Sequence, residues 1–252
     1  MFAWLNILRR REARYPPSPE GRLLYAIGDI HGRSDCLAQA HDLIDRDVAR
    51  RGARDQATEI YIGDYVDRGP DSKGVIDRLI ARSTKVRVVA LRGNHELIME
   101  SFLRGQTPFE EWRQLGGLET ILSYGVDARD RLAKGGVQPL DLAEKIPVSH
   151  LRFISSLVSV YTAGDYCFAH AGLRPGVAIE DQSIADFAWI RDDFLRFSGK
   201  FGFIVVHGHS PVASVEFLQN RINVDTGAYL TNRLSVLRID ADGVTLLGAG
   251  AK

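Results

Sequence analysis

Three times within the first hundred residues the chain repeats one series: a short apolar stretch, a cluster of glycine and polar residues, then apolar residues at helical spacing. Leu23-Leu24-Tyr25-Ala26-Ile27 leads into Gly28-Asp29-Ile30-His31-Gly32, after which Leu37, Ala40, Ile44 and Val48 recur at helical spacing up to Gly52. Ile60-Tyr61-Ile62 leads into Gly63-Asp64-Tyr65-Val66-Asp67-Arg68-Gly69-Pro70, with Ser72 placed to cap a helix carrying Val75, Ile76, Leu79 and Ile80. Val86-Arg87-Val88-Val89-Ala90-Leu91 leads into Arg92-Gly93-Asn94-His95-Glu96, where a third helix starts. A β-α-β-α-β series of this kind predicts an α/β fold, and open α/β sheets carry their chemistry in the polar loops at the C-terminal ends of the strands.

The Pro-rich break Tyr15-Pro16-Pro17-Ser18-Pro19-Glu20-Gly21 predicts an N-terminal appendage over residues 1–21 and a single domain over 22–252. Within the appendage, the apolar stretch Phe2 to Leu8 precedes Arg9-Arg10-Arg11, the reverse of the charge order of a signal peptide. It reads as a peripheral segment or helix, with a weak amphipathic surface anchor as the other option. From Leu97 to about residue 160 the pattern is mostly helical, broken at Gly105, Gly116-Gly117, Gly125 and Gly135-Gly136, and this stretch is the expected cap. Strand-like runs follow at 166–169, 203–206, 221–224, 234–237 and 244–247, so a second sheet is expected there in place of continued α/β winding.

Composition narrows the partners. Thirty-two lysines and arginines balance thirty-two aspartates and glutamates, leaving no net field to draw in nucleic acid, so any attraction for phosphate has to be local. Cys36 and Cys167 lie far apart without metal or redox spacing, which suits packing roles in a reduced, cytoplasmic protein. No apolar run approaches the roughly 20 residues of a membrane span.

The histidines carry the functional signal. Of seven, His31, His95, His170, His207 and His209 follow strand-like runs in Gly-flanked loops, whereas His41 lies inside a helical stretch and His150 follows Pro147-Val148-Ser149. The last two are expected to be surface or hydrogen-bonded packing residues. Asp29 and His31, one residue apart, project to the same side of an extended segment and can grip one cation. Asp64 at the next strand end has two oxygens to share between two cations, Asn94 adds a carbonyl oxygen, and His170 and His209 add imidazole nitrogens. Such a mixed N/O set suits Mn, Fe, Zn or Co better than a thiolate site or an all-oxygen calcium site. Taken singly, Gly-Asp-Ile-His-Gly is equally a turn whose Asp caps a helix; in combination, at five strand ends, the fragments point to a metal centre.

Gly28-Asp29-Ile30-His31-Gly32, Gly63-Asp64-Tyr65-Val66-Asp67-Arg68-Gly69 and Gly93-Asn94-His95-Glu96 resemble the three signature blocks of the phosphoprotein phosphatase family of metallophosphoesterases. The resemblance extends to His170-Ala171-Gly172, Trp189-Ile190-Arg191, Gly208-His209-Ser210-Pro211 and Asp225-Thr226-Gly227-Ala228, and is greatest for the short bacterial serine/threonine protein phosphatases. It implies a sandwich of two mixed β-sheets flanked by helices. It also implies two divalent metal ions, manganese foremost: one held by Asp29, His31 and Asp64, the other by Asp64, Asn94, His170 and His209. His207 is the rival for the last position, and His209 is preferred because Gly-His-Ser-Pro is the matching run. By the same resemblance His95 protonates the leaving oxygen with Asp67 orienting it, Arg68, Arg191 and Asn94 hold the phosphate, and Arg92 supports them from behind.

The activity so implied is hydrolysis of phosphoserine and phosphothreonine in protein substrates by a metal-activated water. The rival is a nucleotide hydrolase of the symmetrical diadenosine tetraphosphatase type, whose members typically carry Ala where this chain has Asp67 and Asp where it has Glu96. A third option, a metal-holding module that docks phosphorylated partners without catalysis, finds no support, because every candidate catalytic residue is present.

Overall fold

The structure, a computed structural model, describes residues 15–52, 57–133 and 135–248. The Phe2–Leu8 stretch and the rest of 1–14 lie outside these. Strands β1 (Leu23–Ile27), β2 (Ala57–Tyr61) and β3 (Arg87–Ala90) alternate with helices α1 (Ser34–Arg51), α2 (Ser72–Ser83) and α3 (Asn94–Leu103). Five short helices follow: α4 (Phe109–Gln114), α5 (Gly117–Ser123), α6 (Ala128–Ala133), α7 (Pro139–Ala143) and α8 (Val148–Ser155). The chain then forms β4 (Val160–Ala163), β5 (Tyr166–Ala169), α9 (Ile184–Trp189), α10 (Asp192–Leu195), β6 (Ile204–His207), β7 (Glu216–Phe217) and β8 (Arg221–Asn223). It ends in α11 (Ala228–Thr231), β9 (Val236–Asp240) and β10 (Gly243–Leu246).

The strands make two mixed five-stranded sheets, ordered β10-β9-β1-β2-β3 and β4-β5-β6-β8-β7, as the resemblance implies. β1, β2 and β3 run parallel, as do β5, β6 and β8, while β9, β10, β4 and β7 pair antiparallel with their neighbours. The second sheet is not the whole C-terminal half: β9 and β10 return to the first, laying Leu237 and Ile239 beside β1.

Period-two alternation sorts the side chains into layers. Leu24, Ala26 and Ile60 point between the sheets and meet Phe168, Val206 and Ile222. Tyr25, Ile27 and Tyr61 point the other way, onto Leu37 and Ile44 of α1 and Val75 and Leu79 of α2. On the far side of the second sheet Cys167, Ala169 and Val205 pack against Phe187 and Phe194. Cys36 and Cys167 are buried free thiols, and burial pushes Cys167 up to about 12.

Helix α2 starts at Ser72, but its cap is Asp71, whose carboxylate accepts the Gly74 N–H at 3.0 Å. Ser72 is fully buried, and its hydroxyl meets the Asp67 amide and Thr120. Residues 15–21 lie along the sandwich: the Tyr15 hydroxyl donates to the Leu218 carbonyl at 2.8 Å, and Tyr166 donates to Pro16 at 2.5 Å. No helix among the described residues is long and apolar enough to cross a membrane.

Candidate metal centre and active site

Asp29 and His31 follow β1, Asp64 follows β2, Asn94 and His95 open α3 after β3, His170 follows β5, and His209 follows β6. All leave the C-terminal ends of parallel strands, three in one sheet and two in the other, so the two sheets bring them together along one edge of the sandwich. Their backbones are bent to fit. Of seven non-glycine residues with positive φ among those described, five are His31, Asp64, Asp67, Arg68 and His209, which concentrates left-handed strain in these loops.

Asp64 sits in the middle and is buried. Its Oδ2 lies 3.3 Å from His31 Nε2 and 3.8 Å from His95 Nε2, while its Oδ1 lies 3.3 Å from His170 Nε2. Asn94 Oδ1 is 3.0 Å from His170 Nε2 and 2.9 Å from His209 Nδ1. Each carboxylate oxygen thus faces its own imidazoles, in groups His31–Asp64–His95 and Asp64–His170–His209 whose ligand atoms lie within 4.8 Å of one another.

Ring tautomers decide what these approaches mean. His31 Nδ1 donates to the Val66 carbonyl at 2.9 Å and His170 Nδ1 to the Ile62 carbonyl at 3.0 Å. Burial pushes the His31 pKa down to about 3 and lowers that of His170, so both rings are neutral and their Nε2 atoms present lone pairs. A lone pair aimed at a carboxylate oxygen is repulsive unless a cation lies between them. In this structure Arg68 Nη1 donates to His31 Nε2 at 3.0 Å, a positive charge at the position the lone pair requires. These donor atoms lie close enough together to share an ion that binds each at about 2.1 Å.

Asp29 adds to the case. Its Oδ2 accepts the His209 N–H at 2.9 Å, but its buried Oδ1 has no partner among the described residues. Burial, then the charges of Asp225 and Asp64, push its pKa well above the usual carboxylate range, a cost that a cation would remove. A Cβ on Gly208 would collide with Oδ1, so glycine keeps that oxygen's surroundings open. His209 Nε2 is similarly buried and unpartnered, and burial takes this ring down to about 3. The donor set therefore fits bound metal better than it fits itself.

His95 differs in one respect. Its Nδ1 donates to the carboxylate of Asp67 at 2.7 Å, not to a carbonyl. Burial alone would depress this ring, yet the Asp64 charge and the Asp67 bond together hold its pKa above the usual imidazole value. Asp67 is itself fixed by the Trp112 indole N–H at 2.8 Å and the Thr120 hydroxyl at 2.7 Å, two residues of the helical segment that sequence reading passed over. Glu96 was also undervalued: fully buried, it accepts the N–H groups of Asp64, Tyr65, Val66 and Gly93.

The remaining candidates divide. The Arg68 guanidinium lies 4.8 Å over the Tyr229 ring, which also packs against His31. Arg191 is exposed at the start of α10, and its charge disfavours protonation of His170 and His209. Arg92 does not support the centre: it pairs with Glu100 at 2.7 Å and donates to Ile154 O, latching α3 to α8. His207 is buried against Phe194 outside both imidazole groups, while His41 and His150 bond Tyr61, and Tyr124 with Asp77, respectively. Trp189, 42% exposed, flanks His209.

This is the architecture of a metal-dependent phosphoesterase, and residues 23–244 match the calcineurin-like phosphoesterase family, to which the chain belongs. It is 27% identical over 195 residues to the asymmetrical bis(5'-nucleosyl)-tetraphosphatase PrpE of Anoxybacillus flavithermus, spanning 71% of this chain and 74% of that one. It is 31% identical over 153 residues to the symmetrical bis(5'-nucleosyl)-tetraphosphatase of Dechloromonas aromatica, spanning 60% of this chain and 44% of the relative. Among solved structures, a candidate diadenosine tetraphosphatase superposes with a TM-score of 0.62 at 21% identity, covering 92% of this chain and 96% of that one, which establishes the shared fold. These relatives carry dinucleotide-hydrolase names, whereas the sequence resemblance implied a protein phosphatase.

Proposed function

We propose that the protein is a dinuclear-metal hydrolase of bis(5'-nucleosyl) polyphosphates, built as one catalytic unit in which the helical segment of about 97–160 caps the centre. The observation that carries the hydrolase reading is Asp64, with one oxygen facing His31, whose lone pair takes the cationic Arg68, and the other facing His170, whose lone pair meets only acceptor oxygens. The tetraphosphatase names of relatives aligned over most of the chain support the nucleotide substrate.

Asp29, His31 and Asp64 would hold one metal, and Asp64, Asn94, His170 and His209 the other. Bound there, the metals supply an activated water and neutralise charge on the phosphoryl oxygens. Arg68 and Arg191 grip the remaining phosphoryl oxygens by charge-assisted hydrogen bonds, with Asn94 beside them. His95, oriented by Asp67, holds a proton on Nε2 for the departing oxygen.

One observation favours a second reading, hydrolysis of phosphoserine and phosphothreonine. A serine alkoxide is a far poorer leaving group than a nucleotide phosphate, and the buried Asp67–His95 pair is the equipment such a leaving group requires. The test is turnover of diadenosine tetraphosphate, a phosphoserine peptide and p-nitrophenyl phosphate by manganese-loaded enzyme, with nucleotide products separated chromatographically. Turnover of the dinucleotide well above the peptide is expected, and two ADP or ATP plus AMP will show where the chain is cut. Peptide turnover alone would overturn the nucleotide reading. Asp64→Asn should lose metal by elemental analysis, and retention of two metals would contradict its bridging place.

A further inference from the structure

Beside the centre, on the His31 side, the surface opens into a groove of about 470 Å³ that the reaction as described does not use. Its walls include Arg68, Arg113, Leu115, Gly116, Leu118 and Tyr229. We propose that this groove is a nucleoside subsite, receiving the base and sugar attached to a phosphate held at Arg68; the assignment rests on the nucleotide reading above and gives it a location.

Four observations carry it. Arg68 lines the groove, so an occupant can stay joined to a phosphoryl group held there. Floor and clamp form one body: the Arg68 N–H donates to Gly116 O at 3.1 Å. Gly116 has φ +101°, and a Cβ there would stand 2.5 Å from Arg68 N, so only glycine lets the floor lie this close. The walls also carry more than charge, with the Tyr229 ring lying 4.8 Å from the Arg68 guanidinium. Tyr229 supplies an aromatic surface, and Leu115, 38% exposed, and the half-buried Leu118 supply an apolar one. A flat heterocycle is what such a slot covers best, and the volume lies within the roughly 300–1,000 Å³ of small-molecule sites. Finally, Arg68 supplies the groove's cationic end, where an anionic chain attached to the base would lie, since Arg113 is paired with Glu110 at 3.1 Å.

Comparing ADP with pyrophosphate isolates the nucleoside, because the two share their phosphates. Calorimetric titration of manganese-loaded protein should find ADP bound about tenfold or more tightly than pyrophosphate. Leu115→Asp should abolish most of that preference, and Leu115→Ala should reduce it by a smaller factor in the same direction. Leu115 is exposed, so both variants should fold, which a thermal melt checks. Equal binding of ADP and pyrophosphate by the unaltered protein, or a preference intact in both variants, would overturn the subsite. So would a phosphoserine peptide, and not ADP, being the ligand whose binding Leu115→Asp weakens. Because binding is read without turnover, failure to hydrolyse the dinucleotide alongside an intact ADP preference would sink the proposed activity while upholding the subsite.

Discussion

Asp67 and Glu96 show how much of this centre is held by carboxylates that touch no ligand position. Asp67 gives His95 Nδ1 a carboxylate partner where the Nδ1 atoms of His31 and His170 bond carbonyls, and this sets the proposed acid apart from neighbours of identical chemistry. His95→Asn should therefore keep both metals by elemental analysis. It should lower turnover of a serine phosphomonoester by about 10²- to 10⁴-fold, and that of a dinucleotide much less; equal losses would argue that His95 acts otherwise. Glu96 uses both oxygens to gather four backbone N–H groups of the loops that present Asp64 and Asn94. In Glu96→Gln the amide NH2 would replace one acceptor and face two of those donors. The expected cost is about 3 kcal/mol, read as a lower denaturation midpoint, since each buried N–H left without its acceptor costs about 1–3 kcal/mol. An unchanged midpoint would mean that the amides find other partners.

The elements were unevenly legible. Strands β1, β2 and β3 and the loops after them can be read from local pattern, because apolar runs ending in glycine and a carboxylate or histidine leave few alternatives. The metal-binding candidates were legible for the same reason: each sits within two residues of a glycine, and His31, Asp64 and His209 bend into the left-handed region there. The short edge strand β7 was not, since two exposed residues make no periodicity. Nor could sequence show that Trp112 and Thr120, on helices α4 and α5, reach back to Asp67, because a hydrogen bond spanning about fifty residues leaves no local trace. That contact ties the helical segment to the carboxylate that orients His95, the proposed acid. Trp112→Phe should keep the aromatic packing on Phe102 but lose the indole N–H, costing about 1.5–3 kcal/mol and lowering Tm by several degrees. It should also displace the alkaline limb of the pH–rate profile, whereas a purely packing role would leave that limb in place.

For the whole molecule, what sequence could not choose was strand partnership. The runs at the C-terminal end announce strands, but nothing local says that β9 and β10 abandon the second sheet for the first. β9 is the antiparallel neighbour of β1, and the Gly28 N–H donates to Ser235 O at 3.2 Å just where the Asp29 loop begins. A chain ending at residue 233 would leave β1 unpaired on that side and expose Leu24 and Ala26. It should show no cooperative thermal transition and retain no stoichiometric metal; a folded, metal-loaded fragment would contradict this. The consequence reaches back to synthesis. The loop that offers the first ligands leaves the ribosome well ahead of the strand that braces it, so the centre can be finished only after that strand has followed.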